Sequence, residues 1–92
     1  MACTVYKYPI KVGPNILKLP KGAKILSAGM DCDNNYCIWA MVNPNNKTEQ
    51  RVIHLIGTGW DINPNFTFIN TFVSREEGLV WHCFEENADF ND

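Results

Sequence analysis

Phe66-Thr67-Phe68-Ile69-Asn70-Thr71-Phe72-Val73-Ser74, then Glu76-Glu77-Gly78, then Leu79-Val80-Trp81-His82-Cys83-Phe84-Glu85 is the part of the chain that decides the fold. Two runs rich in β-branched and aromatic residues flank a polar turn that ends in glycine, the pattern of neighbouring strands. In the first run, alternation predicts Phe66, Phe68 and Phe72 on one face with Asn70 between them. Thr67, Ile69, Thr71 and Val73 are expected on the other face. In the second run Leu79, Trp81 and Cys83 alternate with Val80, His82 and Phe84, so both faces are apolar. Such a strand belongs in a central position covered on both sides, or at a dimer contact. A short chain has little material to cover a second face, so self-association is expected, with a homodimer as the commonest form.

The same signals recur upstream. Gly13-Pro14-Asn15, Pro20-Lys21-Gly22, Asp31 to Asn35, Asn43 to Lys47 and Gly57-Thr58-Gly59 punctuate the sequence. Between them lie the strand candidates Thr4–Val12, Ala23–Met30, Tyr36–Val42 and Gln50–Ile56, and Ile16 to Leu19 is a further short one. None sustains an apolar i, i+3, i+4 pattern for three turns. The expected fold is mainly β: a single antiparallel β-sandwich or barrel of about six short strands with little helix. At most a helical turn is expected around Asp61 to Asn65. The domain is placed at residues 1–86, followed by an acidic tail, 87–92, that frays unless Phe90 ties it down.

Composition sets the outer limits. Ninety-two residues allow one core, and 46% apolar with 20% charged residues is a globular balance. A net charge of −2 argues against a dedicated DNA- or RNA-binding module. No apolar run approaches the ~20 residues of a membrane span. The start Met1-Ala2-Cys3-Thr4-Val5-Tyr6-Lys7 has no basic-then-apolar signal pattern, so export is not expected. Cys37 and Cys83 lie in apolar runs, as buried free thiols do, and Cys3 and Cys32 form no Cys-x-x-Cys pair with them. A zinc site would need an irregular ligand set, and no metal or other cofactor is expected. Eleven asparagines cluster at the expected turns, where their side chains bond locally to the backbone. Residues 1–24 carry five lysines and no acid, whereas residues 75–92 carry six acids and one arginine. The two ends are therefore candidates to complement each other, and the lysines are candidates to attract phosphate.

Gly57-Thr58-Gly59-Trp60 is the most suggestive loop. Two glycines permit a tight backbone that presents amides to an anion, Thr58 adds a hydroxyl and Trp60 a stacking face. It lacks the lysine and length of a P-loop, and a tight turn is the plainer reading. The candidate ligand-binding set is Gly57, Thr58, Gly59 and Trp60, with Tyr8 to stack on a base and Lys21, Lys24 and Arg51 to meet phosphate. His54 and His82 sit among apolar neighbours and read as hydrogen-bonded structural residues. His82 and Cys83 point to opposite faces of one strand and make no nucleophile pair. Asp31 and Asp33 alternate as cation ligands would, but the run lacks the glycine and distal glutamate of a calcium loop and reads as a turn. No catalytic residues are expected.

Val5-Tyr6-Lys7-Tyr8-Pro9, Leu19-Pro20-Lys21-Gly22-Ala23-Lys24-Ile25-Leu26, the Trp39 strand, Gly57-Thr58-Gly59, Phe68-Ile69-Asn70-Thr71-Phe72 and Leu79 to Glu85 together carry a resemblance that covers nearly the whole chain. In these segments the sequence resembles a family of small uncharacterised proteins encoded by bacteriophages and prophages. The resemblance implies a non-enzymatic phage accessory protein in the host bacterial cytoplasm and supplies no site residues. The leading expectation is inhibition of a bacterial immune system by sequestering a signalling nucleotide. Direct binding of a host defence protein is the first alternative, and a virion structural or assembly component is the second.

Overall fold

The computed structural model describes residues 2–87, in which seven β-rich runs form strands. They are β1 (Thr4–Pro9), β2 (Gly13–Pro20), β3 (Lys24–Met30), β4 (Tyr36–Val42), β5 (Thr48–Gly57), β6 (Thr67–Ser74) and β7 (Leu79–Glu86). Every pairing is antiparallel, in one three-stranded sheet ordered β1-β4-β3 and one four-stranded sheet ordered β2-β5-β7-β6. The fold is thus a sandwich and not a closed barrel. No helix of the described residues is long and apolar enough to cross a membrane. The expected fraying of the acidic tail and the anchoring role of Phe90 lie outside the described residues, apart from Asn87.

Seven strands stand where about six were expected, and the reason is local. The Asn15 side chain accepts from the Lys11 amide and donates back to the Lys11 carbonyl, both at 2.8 Å. That clasp turns the chain at residues 10–12, so Gly13-Pro14-Asn15, which looked like the turn, instead begins β2. β2 then pairs with β5 along its whole length, from Gly13 opposite Leu55 to Pro20 opposite Thr48. Near Asp61–Asn65 the chain makes turns and no helix: the Asn63 side chain accepts from the Asn65 amide at 2.9 Å, a local bond that replaces helical pairing.

β7 is central in its sheet, between β5 and β6, but the expected cover on both faces is met only on the inner one, since Val80 on the outer face is exposed. Its Trp81 and Cys83 point inward with Ile53 and Leu55 of β5, and against them pack Ala28 and Ile38 of the other sheet. A second cluster, Leu19, Ala23, Ala40 and Val42, fills the opposite end of the sandwich. The predicted three-phenylalanine face of β6 is broken. A bulge between Phe68 and Asn70 inserts one residue, which turns Phe68 outward to 56% exposure while Phe72 packs on the core. The bulge also sets Asn70 facing β3, where its side chain bonds both backbone groups of Ala28 and joins the two sheets edge to edge.

The basic start and the acidic end do not meet as neighbouring strands, because β1 pairs with β4 and β7 lies in the other sheet. Lys7 instead takes Asp31, at 2.9 Å, and Glu85 takes Arg51.

Candidate functional site

At the far end of β5 the chain reverses through Gly57-Thr58-Gly59-Trp60. The Trp60 amide donates to the Gly57 carbonyl at 3.1 Å, and Gly59 holds φ +90°, the left-handed value a type II turn requires at its third residue. Thr58 Oγ1 lies 2.8 Å from His82 Nε2, and the other ring nitrogen of His82 lies 2.9 Å from Thr71 Oγ1. The hydroxyl and one of the amides expected to cradle an anion are therefore already engaged within the chain. The tight-turn reading accounts for this loop.

The turn sets the position of Trp60. A Cβ on Gly57 would lie 2.8 Å from Trp60 Cε2, so only glycine lets the indole fold back over this point. The ring stands edge-on to Trp81, with centroids 5.7 Å apart and planes at 81°. Trp81 in turn meets Tyr36 at 5.7 Å, and Tyr36 meets Phe72 at 6.2 Å. These four rings run across one end of the sandwich, from buried Trp81 at its middle to Trp60, which remains 50% exposed. Polar bonds lock the row in place: Trp81 Nε1 donates to the Tyr36 hydroxyl at 3.0 Å, and Tyr36 donates to Glu77. Ser74 Oγ donates to the same Glu77 oxygen at 2.7 Å. These two donors hold the Glu77 carboxyl below its ordinary range, and burial first, then the Glu77 contact, raises the Tyr36 phenol. Sequence reading missed Tyr36, Ser74 and Glu77 as members of this end. They come from β4, β6 and the β6–β7 turn, and no short-range pattern links them.

The remaining expected ligand residues lie elsewhere. Lys21 sits in the turn after β2, where its amide donates to the Lys47 carbonyl at 2.7 Å, and Lys24 opens β3. Pro20 pairs with Thr48, the start of β5, so nine residues of strand separate this end from Gly57, about 30 Å at ~3.3 Å per residue. Arg51 is half-buried and forks onto Glu85, with Nη2 3.0 Å from Oε1, while Nη1 donates to the Ala23 carbonyl at 2.9 Å. Tyr8 packs on both core clusters between the sheets. The structure brings Gly57, Thr58, Gly59 and Trp60 together, and it does not bring Tyr8, Lys21, Lys24 or Arg51 to them.

A family profile matches residues 1–91, all seven strands included. The chain belongs to the family described as a domain of unknown function (DUF7352). No curated protein and no solved structure matches the chain.

In this DUF7352 domain Cys37, Cys83 and Asp31 are held in structural roles, while Cys3 and Cys32 are exposed free thiols. Burial pushes the Cys83 thiol up to about 12 and raises that of Cys37, so neither is a thiolate nucleophile at neutral pH. Among the described residues no three His, Cys, Asp or Glu side chains gather as a metal ion requires. Asp31 is a turn former. Its Oδ1 accepts from the Asp33 and Asn35 amides, both at 2.9 Å, and its Oδ2 from Lys7. The Lys7 bond, helped by the two amides, holds the Asp31 carboxyl down at about 2. A carboxyl lowered in the folded state stabilises it above the ordinary value of 3.8, and that contribution disappears as pH falls through about 2. Carbon-detected NMR titration should therefore place the Asp31 midpoint at about 2, with amide exchange in 31–35 accelerating over the same range. A midpoint near 3.8 would mean that the Lys7 contact does not form in solution.

Proposed function

We propose that this protein is a non-enzymatic phage accessory factor that acts in the bacterial cytoplasm by binding a host defence protein, with Trp60 as its anchor. The observation that carries this reading is the seat of Trp60: half-exposed, oriented edge-on by Trp81 and lying over Gly57, whose missing Cβ makes room for the indole. An aromatic ring held in advance loses little freedom on docking, which is why tryptophan dominates interface hot spots. The distribution of charge supports a protein target over a sequestered nucleotide. Phosphate groups would need the lysines and the glycine turn together, and these lie at opposite ends of β5. The phage setting rests on the resemblance of the sequence to small phage and prophage proteins.

Native mass spectrometry of the tagged chain recovered from infected bacteria tests the reading. The expected result is a complex with one protein partner. Trp60→Ala should weaken it by about 30-fold or more, the scale of a hot-spot residue. Gly57→Ala should do the same by displacing the indole, and the double variant Lys21→Ala/Lys24→Ala should bind as the parent does. A nucleotide-sized ligand that leaves only on denaturation, and that survives Gly57→Ala, would overturn it.

A further inference from the structure

The outer face of the four-stranded sheet has no cover within the described residues, and its composition differs from that of a solvated face. Opposed residues across the strands share a face, so Phe68, Phe84 and His54 lie in one row and Val73 with Val80 in another. Ile16 on β2, 69% exposed, and Val73 on β6, 56% exposed, mark its two edges. Phe68 stands edge-on to Phe84 with centroids 5.4 Å apart. Both histidines on this face already have partners: His54 pairs with Glu86 at 2.9 Å, and both ring nitrogens of His82 are engaged by threonine hydroxyls, whereas Gln50 and Lys18 remain exposed to solvent. Covering such a face leaves the histidines satisfied and lowers the cost of burying polar atoms.

We infer that this face docks against the same face of a second copy of the chain, forming a two-fold dimer in which two four-stranded sheets pack face to face. Charge selects the occupant. At the outward positions of the four strands the only lysine, arginine, aspartate or glutamate side chains are Lys18 on β2 and Glu86 on β7. One cation and one anion make a neutral face that does not repel its copy and offers each charge an opposite one. The outer face of the three-stranded sheet contrasts with it: exposed Val5 and Met41 lie beside Lys24, a cation with no ion pair among the described residues, which a second copy would double.

Area sets how complete the contact must be. The Cα trace is flat, 41 × 35 × 16 Å, so its broad faces hold most of the surface. Four strands ~4.8 Å apart and about eight residues long present roughly 500 Å² per copy. Roughly 1,000 Å² for the pair is where specific interfaces begin. The two faces must therefore overlap fully, which sets a reversible, concentration-dependent dimer. An isologous contact closes at two copies. Trp60 stands edge-on to Trp81, whose side chain points into the sandwich and not onto this outer face, so the dimer and the partner reading fail independently.

Sedimentation equilibrium of the full chain across a concentration series tests the dimer. The expected result is a monomer–dimer equilibrium that stops at two. Phe68→Lys and Val80→Lys should each raise its dissociation constant at least about tenfold, and Val5→Lys on the other sheet should leave it unchanged. A soluble paramagnetic probe read on the unmodified protein keeps the test decisive should a lysine variant unfold. The methyl groups of Ile16, Val73 and Val80 should become protected from the probe as concentration rises. A monomer at the highest soluble concentration, open-ended assembly, a dimer dissolved by Val5→Lys, or methyl groups equally accessible at all concentrations would each overturn the inference.

Discussion

Asn70→Ala is expected to lower the free energy of unfolding by about 3 kcal/mol, a large effect for a residue with no apolar role. The Asn70 amide takes the place of a strand partner. Its Oδ1 accepts from the Ala28 amide at 2.8 Å and its Nδ2 donates to the Ala28 carbonyl at 3.0 Å, which joins the edge of β3 to the edge of β6. Ala28 is 4% exposed, so truncation leaves two backbone groups without a partner where water has little access. Each such group costs roughly 1–3 kcal/mol, and cavity relaxation offsets part of the sum. Asn70→Asp keeps the acceptor but sets a carboxylate oxygen against the Ala28 carbonyl, so it should destabilise by a similar amount at neutral pH. Urea unfolding with an unchanged m-value, together with faster exchange of the Ala28 amide, checks this. A loss below about 0.5 kcal/mol, the usual scale of a surface substitution, would show that the two edges are held by core packing alone.

The second large effect is conditional on its partner. Arg51→Met should cost about 2–3 kcal/mol, whereas Arg51→Met/Glu85→Leu should recover most of that loss. Arg51 and Glu85 have side chains 16% and 19% exposed and form a two-pronged pair, and the guanidinium also reaches the Ala23 carbonyl in the connection from β2 to β3. Glu49, 3.5 Å from Nη1, adds a second carboxylate. Removing the cation alone strands Glu85 in a dry setting. Removing both leaves an apolar pair that packs beneath the sheet. The coupling in a double-mutant cycle should exceed about 1 kcal/mol, beyond the additivity error of independent sites. Additive losses would mean that the pair is a solvent-screened contact and that the Ala23 bond carries the stability.

The same arginine illustrates how far a linear reading reaches. Its place in a β-branched run was legible, and so was a strand over its neighbours, because alternation and side-chain shape act within a few residues. Its partners are 34 residues onward in Glu85 and 28 residues back in Ala23, and no local pattern names them. Lys21 and Lys24 likewise looked close enough to a glycine turn to share an anion with it. The pairing of β2 with β5 instead sets them a strand length apart. The row from Trp60 through Trp81 to Tyr36 and Phe72 draws on a turn and three strands from both sheets, so only assembly could create it.

The sequence by itself determined the β class, the turn positions built from asparagine and glycine other than Gly13-Pro14-Asn15, and the two-faced pattern of β7, whose inner Trp81 and Cys83 alternate with outer Val80 and Phe84. Each of these follows from a period of two and from short-range backbone chemistry. Tertiary structure alone decided that consecutive β1 and β2 part into different sheets. It also decided that one inserted residue before Asn70 sends Phe68 to the surface, and that the expected ligand residues do not converge. The physical reason is the same in all three. Strand pairing is a choice among distant partners settled by the packing of the whole core, and a one-residue change of register reverses every face that follows it.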